Sequence, residues 1–545
     1  MSKSRCFVLG TLLPLLLSCG GEVTSSSLAS SASSGLPDFN YEIDESVSNT
    51  SGAAYEIFVG SFADSNGDGV GDLKGIEQHL PYLKSLGVST LWLTPIHPSN
   101  SYHKYDVLDY YGIDSSFGTL ADFTSLVNAA KADGMGIMMD MVFNHASKNS
   151  DWFMTALDDF VSGNTSETSC ADDFVLSLSQ PATNPFGKKY YSINSGGTLV
   201  YYEANFASDM PEFNLASSKV IAKQKAIMAY WLNQGASGFR FDGAAYYFYG
   251  ETSKCVDYCS TLYQEATALK SDVSLVAEAW LTSMTIDQVA TYSASNLHVF
   301  DFPNGYTASA SSLVLYSTQS NGNSYANALC NLQSKIAAKS SVAEPTFFIA
   351  NHDMDRTYSS YVLYDDPISK MKLTASLNLL TPGTPYIYYG EEIMMRGNRG
   401  GSSTDANRRL GMIWSENNDT ARPSDPVGST WTRSDQPKEG ALDLLKVGNS
   451  IVSHYRKCLN LRNKFPAIRY GTYSKIEANV ALAAFKIDYQ SKSYLLVTNL
   501  GEQALSFDAK ASVSILDEVN TLGTKAVLTD TSLTLQAYSS VLCQY

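Results

Sequence analysis

The chain of 545 residues lacks an excess of positive charge, a cysteine spacing typical of metal sites and an internal repeat. Its formal net charge of −16 argues against nucleic acids and anionic membrane surfaces as partners, since both attract basic proteins. Besides Cys6 and Cys19 there are six cysteines, of which Cys255 and Cys259 suggest either a bridge or a shared helix face. A hydrophobic fraction of 44% excludes wholesale disorder and suffices for one large domain with an accessory domain.

The N-terminus has the pattern of an export signal. Two basic residues precede an apolar run, Phe7–Leu17, which is too short to span a bilayer. The run ends in Leu17-Ser18-Cys19-Gly20, which resembles a bacterial lipoprotein signal, so we expect removal of residues 1–18 and a lipid on Cys19. Residues 19–52 are rich in serine and predict a flexible tether. We therefore expect an exported protein that is lipid-anchored to a bacterial membrane in the cell envelope, with full secretion as the alternative.

From about residue 53 the sequence alternates short runs typical of β-strands with segments of helical length. Eight strands that mostly alternate with helices predict an α/β fold, the (β/α)8 TIM barrel. The strand-like runs are Tyr55–Val59, Thr90–Thr94, Gly136–Phe143, Gly238–Phe241, Ser274–Ala277, His298–Phe302, Thr346–Ala350 and Tyr386–Tyr389. Helical patterns include Gly75–Leu86, Leu120–Asp133, Lys219–Gln234 and Lys370–Leu380.

Two regions depart from this alternation. About 70 residues separate the third strand from the helix before the fourth, which is too long for a bare loop. We therefore predict a subdomain inserted after strand 3, residues 146–213, in a barrel formed by residues 53–145 and 214–465. Residues 466–545 contain alternating runs without a convincing helix, and they predict a C-terminal antiparallel β-sandwich domain.

Polar residues close four of the predicted barrel strands, in the segments Asp140–His145, Gly238–Asp242, Ala277–Trp280 and Phe348–Asp353. In such a barrel the carboxyl ends of the strands meet at one face, where active sites lie. A single Asp at a strand end is more often a helix cap or a turn residue. Four such endings together are poorly explained in that way, so they indicate a functional site.

These four segments resemble the conserved regions of the α-amylase superfamily, glycoside hydrolase family 13, in order and in separation. Met210–Asn214 is similar to a fifth family region, and Ser101–Val107 to the Tyr-His-Gly-Tyr-Asp stretch, with Lys104 in place of the glycine. The resemblance covers roughly residues 53–465, and residues 466–545 match the family's last domain in position only. It implies a retaining hydrolase acting on an α-glucan polysaccharide or oligosaccharide, and we expect a monomer.

The resemblance implies unequal roles for three carboxylates. Asp242 would be the nucleophile, with Arg240 on the same strand face to hold it in position. Glu278 would be the acid/base, because an apolar approach raises a carboxyl pKa. Asp353 would bind sugar hydroxyls and favour the distorted ring. The substrate-binding residues implied around them are His103, Tyr105, His145, Arg240, His352, Asp405 and Arg409.

A loop after the first strand is acidic and rich in glycine. Its alternating oxygen ligands suit a hard cation such as Ca²⁺, although Gly75 stands where an EF-hand has its bidentate Glu. The loop is instead similar to a calcium loop of some family 13 members, with ligands Asp64, Asn66, Asp68, the Val70 carbonyl and Asp72. A second family calcium site would include Asn144, but Ala245-Tyr246 replaces the family's Lys-His there. The sequence therefore does not decide whether this second site is present.

Three functions are compatible with these residues. The leading one is an endo-acting α-amylase that cleaves α-1,4-glucosidic bonds of starch, glycogen or maltooligosaccharides. An exo-acting α-glucosidase, a cyclomaltodextrinase or a glucanotransferase would share the catalytic residues and differ in the loops. A non-catalytic glycan-binding surface protein is disfavoured, because Asp242, Glu278 and Asp353 are all present.

Overall fold

The computed structural model describes residues 52–182, 186–281, 284–302, 312–400, 405–417 and 419–545. The predicted signal peptide, the predicted lipidation site Cys19 and all of the tether except its last residue lie outside the described residues. Within the described ranges, no helix combines the length and the apolar character needed to cross a membrane.

A parallel barrel of eight strands forms the centre of the molecule. Along the chain the strands are β1 (Ala54–Ile57), β2 (Thr90–Leu93), β3 (Gly136–Met141), then β4 (Leu176–Ser177), β5 (Tyr190–Ser195) and β6 (Thr198–Glu203) of an insertion, then β7 (Gly238–Phe241), β8 (Ser274–Ala277), β9 (His298–Phe300), β10 (Pro345–Thr346) and β11 (Tyr386–Tyr388). The barrel order is β10-β9-β8-β7-β3-β2-β1-β11. Hydrogen bonds from Thr384 N to Pro345 O (3.0 Å) and from Tyr386 N to Phe347 O (2.7 Å) close the ring. The predicted (β/α)8 barrel is confirmed.

Helices connect the barrel strands, and their sequences explain where they begin and end. In Leu120–Ala132 the buried residues recur at helical spacing, and Thr119 and Asp122 form a capping box at its start. The predicted helix Gly75–Leu86 is two helices, because Pro81 has no N–H with which to continue the first one. The helices are Leu73–Gln78, Leu80–Leu86, Leu120–Ala132, Asp151–Ser162, Ser218–Asn233, Thr252–Leu269, Ile286–Ser293, Ser312–Thr318, Gly322–Ala337, Pro367–Leu379, Ala441–Leu444, Ile451–Lys464 and Ala467–Tyr470.

Two further units lie outside the barrel. Strands β4, β6 and β5 form a small antiparallel sheet between β3 and β7, as predicted for an insertion after the third strand. The C-terminal strands are β12 (Thr472–Lys475), β13 (Leu482–Tyr489), β14 (Lys492–Asn499), β15 (Leu505–Asp508), β16 (Ser514–Asn520), β17 (Val527–Thr529), β18 (Ser532–Leu535) and β19 (Ser539–Gln544). They form two antiparallel sheets with a separate apolar core that includes Leu495, Val497, Leu533 and Leu535. The C-terminal β prediction is confirmed, whereas the numerical domain boundaries stay predictions.

Five cysteines of the described part, Cys255, Cys259, Cys330, Cys458 and Cys543, are free. Cys255 and Cys259 are buried one turn apart on the helix Thr252–Leu269, so the two share a helix face.

Gly383 permits the close approach that closes the barrel. Its φ is +71°, and a Cβ at this position would lie 2.0 Å from Pro345 O. We expect Gly383→Ala to lower the free energy of unfolding by more than the roughly 1 kcal/mol that a left-handed alanine costs through its backbone alone. Gly134→Ala is the matched control, since φ is +76° there and the space around its Cβ is open. Urea unfolding of both variants measures the difference, and equal losses would contradict this account.

Candidate active site

The predicted carboxylates lie together at the carboxyl ends of neighbouring strands. Asp242 follows β7 and donates its backbone N–H to Met141 O (3.0 Å), while Glu278 follows β8 and donates to Phe241 O (2.9 Å). These strand-to-strand bonds fix both residues on the rim of one cavity of about 620 Å³. The cavity is lined by Tyr102, His103, Tyr105, His145, Phe206, Ala207, Met210, Asp242, Gly243, Tyr246, Glu278, Trp280, Asp353, Asp405 and Arg409.

One buried guanidinium joins three acidic groups beneath this cavity. Arg240 Nη1 lies 2.7 Å from Asp140 Oδ1 and 2.5 Å from Asp242 Oδ1, and Arg240 Nη2 lies 3.0 Å from Glu278 Oε2. The Arg240 side chain is 1% exposed and lies over the ring of Trp92. A buried charge is tolerated when it is paired in this way. Arg240 therefore positions both the predicted nucleophile, Asp242, and the predicted acid/base, Glu278. The sequence predicts only its contact with Asp242.

Glu278 has the protonation behaviour of a general acid. Burial, together with the nearby Asp242 and Asp353, raises its pKa to about 8, although Arg240 acts in the opposite direction. Its Oε2 also accepts a hydrogen bond from Gly243 N at 3.0 Å. At neutral pH the carboxyl therefore carries a proton that it can donate.

Asp353 is held as an anion by two cationic neighbours. Its Oδ1 lies 2.7 Å from Arg409 Nη2, and its Oδ2 lies 3.1 Å from His352 Nε2. Burial by itself would raise the pKa of Asp353, but the charges of His352, Arg409 and Arg240 outweigh it and lower the pKa well below the ordinary value. The carboxylate is therefore available to accept hydrogen bonds from sugar hydroxyls.

His352 owes its charge to a residue that the sequence analysis missed. Glu56, inside β1, lies 2.6 Å from His352 Nδ1. Burial lowers the pKa of His352, but Asp353 and Glu56 together reverse this and raise it to about 10. The hint in the sequence is a glutamate within the otherwise apolar run of β1, where both partners are almost fully buried.

The three other predicted side chains, His103, Tyr105 and His145, also line the cavity. Tyr105 donates from its hydroxyl to Asp140 Oδ2 (2.9 Å), and its ring stacks on His352 with centroids 5.3 Å apart. Burial lowers the pKa of His145, and it lowers that of His103 to about 4. Both imidazoles are therefore neutral near pH 7 and act as hydrogen-bonding groups.

Asp405 and Arg409, both predicted to bind substrate, are held by different ion-pair partners. Arg409 Nη2 lies 3.9 Å from Asp405 Oδ2 but 2.7 Å from Asp353 Oδ1. Asp405 instead binds Arg408 at 2.7 Å. Both Asp405 and Arg409 still line the cavity, so the predicted neighbourhood is present with different partners.

Lys104 occupies a left-handed backbone position, which explains the glycine found there in the family motif. Its φ is +65°, a conformation that is costly for a residue with a Cβ. The side chain is buried and forms an ion pair with Asp114 at 2.7 Å, above the ring of Phe117. This anchor holds the backbone between His103 and Tyr105.

An aromatic group stands where the family has Lys-His. Tyr246 lines the cavity, stacks on Tyr249 with centroids 4.8 Å apart and lies 4.5 Å from Phe206. Phe206 belongs to the insertion and was missed because nothing in its local sequence distinguishes it. Together Phe206 and Tyr246 give this side of the cavity an aromatic wall suited to a sugar ring.

The predicted calcium loop is folded around Asp64. Its carboxylate accepts from the backbone N–H of Asn66 (3.1 Å), Gly67 (2.7 Å) and Gly69 (2.8 Å). Asp72 instead caps the following helix by accepting from Gly75 N (2.7 Å). The donor types of Asp64, Asn66, Asp68, Val70 and Asp72 fit Ca²⁺. No group of three or more His, Cys, Asp or Glu side chains in the described ranges is arranged to hold a metal, so calcium stays a prediction.

The chain belongs to the α-amylase family, whose model, described as "Alpha amylase, catalytic domain", matches residues 56–471. The family resemblance of the strand-end segments is thereby confirmed, and the protein is a member of a family of glycoside hydrolases and transferases that act on α-glucosidic bonds.

Relatives with several activities share this fold. The chain is 32% identical over 460 residues to "Alpha-amylase 3" of Dictyoglomus thermophilum, covering 83% of this chain and 85% of that one. It is 26% identical over 541 residues to an oligo-1,6-glucosidase of Halalkalibacterium halodurans, covering 84% and 91%. Among solved structures, Amy13B of Eubacterium rectale superimposes with a TM-score of 0.82 at 29% identity, covering 91% of this chain and 96% of that one.

The raised pKa of Glu278 predicts the alkaline side of the pH profile. The general acid must be protonated, so kcat/KM on an α-glucan should fall as the pH rises through about 8. The profile is measured with maltooligosaccharides and with a glucosyl fluoride, whose leaving group needs no proton. With the fluoride as substrate, kcat/KM should not fall on the alkaline side of the profile. If it falls equally with both substrates, a group other than Glu278 is responsible for the decrease.

Proposed function

We propose that this protein is an endo-acting, retaining α-amylase that cleaves α-1,4 bonds of starch, glycogen or maltooligosaccharides. The observation that supports this most is the single guanidinium of Arg240, which binds both Asp242 and Glu278. Two carboxylates that share one guanidinium lie close together, as in retaining glycosidases, where the separation is about 5 Å. An inverting enzyme needs a wider gap for a water molecule.

In the proposed reaction Asp242 attacks the anomeric carbon while Glu278 gives its proton to the leaving glycosidic oxygen. The resulting glycosyl ester on Asp242 is then cleaved by water, from which the Glu278 carboxylate takes a proton. Asp353, ionised beside His352 and Arg409, accepts hydrogen bonds from the sugar hydroxyls as the ring distorts. Arg240 keeps the two reacting carboxylates in position through both steps.

The layout of the cavity favours attack within a chain over attack at its end. Tyr102 and Asp405 lie beside Arg409, which binds Asp353. Phe206 and Tyr246 lie together beside Gly243, which follows Asp242. Sugar-binding side chains on both sides of the reacting carboxylates allow glucose units to extend in both directions. The similarity to "Alpha-amylase 3" supports the same function. An exo-acting α-glucosidase is the second candidate, because a similar relative is named an oligo-1,6-glucosidase.

Digestion of amylose tests this proposal. The protein should lower the mean chain length rapidly while few reducing ends appear, whereas glucose released from the outset would support the exo-acting alternative. Asp242→Asn and Glu278→Gln should each abolish hydrolysis, because they remove the nucleophile and the proton donor.

Asp158→Asn, at an exposed position of the helix Asp151–Ser162, is the matched control and should be fully active. Circular dichroism shows whether the two inactive variants are folded. Near-normal activity in a folded Asp242→Asn or Glu278→Gln protein would contradict the catalytic assignment.

Export, a lipid on Cys19 that attaches the protein to the cell envelope, and a monomeric state belong to the same proposal. Export and lipid attachment are supported by the N-terminal sequence pattern. A tethered enzyme would release oligosaccharides from polymers close to the cell.

We also propose that the loop from Asp64 to Asp72 binds Ca²⁺ and that the ion has a structural role. The loop joins β1 to the helix Leu73–Gln78, so an ion there would stabilise the start of the barrel. Chelation by EDTA should therefore lower the melting temperature, and added Ca²⁺ should restore it. The variant Asp68→Asn should melt at a lower temperature and respond less to EDTA. A melting curve that EDTA leaves unchanged would contradict calcium binding.

A further inference from the structure

A second cavity of about 600 Å³ opens on the inserted subdomain, outside the catalytic cleft. None of its eight lining residues is acidic, and half of them are tyrosines. They are Lys148, Gln180, Tyr190, Tyr191, Ser192, Tyr201, Tyr202 and Ser208, and we name this set the tyrosine cavity.

The hairpin of β5 and β6 holds the aromatic rings in place. Tyr191 is paired with Tyr202 across the two strands, and Ser192 with Tyr201. The rings of Tyr191 and Tyr202 lie 6.2 Å apart, and Tyr202 is backed by Phe153 of the insertion helix. The Tyr202 hydroxyl donates to Ser208 O at 2.6 Å. The cavity is therefore built from residues fixed by the sheet and its support, so little order has to be gained on binding.

The tyrosine cavity shares a wall with the catalytic cavity. Phe206, Ala207 and Met210 line the catalytic cavity, while Ser208, within the same short segment, lines the tyrosine cavity. A hydrogen bond from Lys148 N to Asp209 O, at 2.8 Å, holds this segment in place, and Lys148 itself lines the tyrosine cavity. A polymer that extends beyond the catalytic cavity at Phe206 therefore meets the tyrosine cavity next.

The lining selects for a neutral polyhydroxylated ligand. The half-buried Tyr190 and Tyr201 share a face of the hairpin, where their rings can pack on the C–H groups of a sugar. Gln180 and the serines can exchange hydrogen bonds with its hydroxyls. Tyr202 is buried, and its hydroxyl is already bonded to Ser208 O, so it supports the cavity from behind. One lysine without acidic or further basic neighbours in the lining is a weak basis for binding an anionic polymer. The catalytic carboxylates have no counterpart here, so the cavity is suited to binding and not to cleavage.

We propose that the tyrosine cavity binds an α-glucan segment outside the catalytic cleft and so favours long substrates over short ones. This inference rests on the proposed function, because it takes the same polymer as its ligand. The bound segment is held beside the shared wall, which raises the effective concentration of the polymer at the catalytic cavity.

The test replaces Tyr190 and Tyr201, two half-buried tyrosines that lie on the same face of the hairpin, by alanine. In the double variant, KM for amylose should rise roughly tenfold, equivalent to about 1.4 kcal/mol of binding, with kcat unchanged. Kinetics on maltotriose, which is too short to occupy both cavities, should not change. Phenylalanine at both positions keeps the rings and should restore most of the affinity for amylose.

Leu199→Ala is the matched control, because Leu199 is exposed on β6 and does not line the cavity. Binding is measured separately from catalysis by the retardation of Asp242→Asn protein in gels that contain glycogen. Adding Tyr190→Ala and Tyr201→Ala to this protein should reduce the retardation. The proposal would be overturned if the double alanine variant had an unchanged KM for amylose and unchanged retardation. It would also be overturned if KM for maltotriose rose as much as KM for amylose. A wild-type protein that is inactive on every α-glucan would instead contradict the proposed function, whatever the gels show.

Discussion

The guanidinium of Arg240 binds Asp140, Asp242 and Glu278 in a region almost closed to water. Burial disfavours the charged form of a carboxyl group, and one positive charge does not fully offset this for all the acids around it. The pKa is raised most at Glu278, to about 8, and less at Asp140, to about 6, in both cases chiefly by burial. Glu278 therefore keeps the proton that glycoside cleavage requires because of its burial and its carboxylate neighbours, which the arginine on β7 only partly offsets.

The barrel and the carboxylates of the site were predictable because they have local signatures. Eight strand-like runs predict the barrel, and four of them end in polar residues. The two-residue spacing of Arg240 and Asp242 places both on one strand face. The partners of these residues were not predictable, since they come from distant parts of the chain. Glu56 binds His352 across 296 positions, and Phe206 reaches the cavity from the insertion. Pairing of this kind is set by the closure of the barrel, which no local pattern records.

At position 104 this chain has a lysine in a backbone conformation that favours glycine. The φ of Lys104 is +65°, in the left-handed region. Ten residues later, Asp114 supplies the carboxylate that pairs with it, and Phe117 supplies the ring beneath its ammonium group. The buried ion pair offsets the cost of the left-handed backbone conformation at Lys104. The neighbouring His103 and Tyr105 are thereby held in the cavity wall.

Five cysteines of the described part are free, and their surroundings determine how they respond to oxidants. Four of them, Cys255, Cys259, Cys458 and Cys543, are completely buried, and burial raises the pKa of each of their thiols. Thiols that are shielded and protonated react slowly with oxidants. A reducing environment therefore does not oppose the folding of the regions around these four thiols.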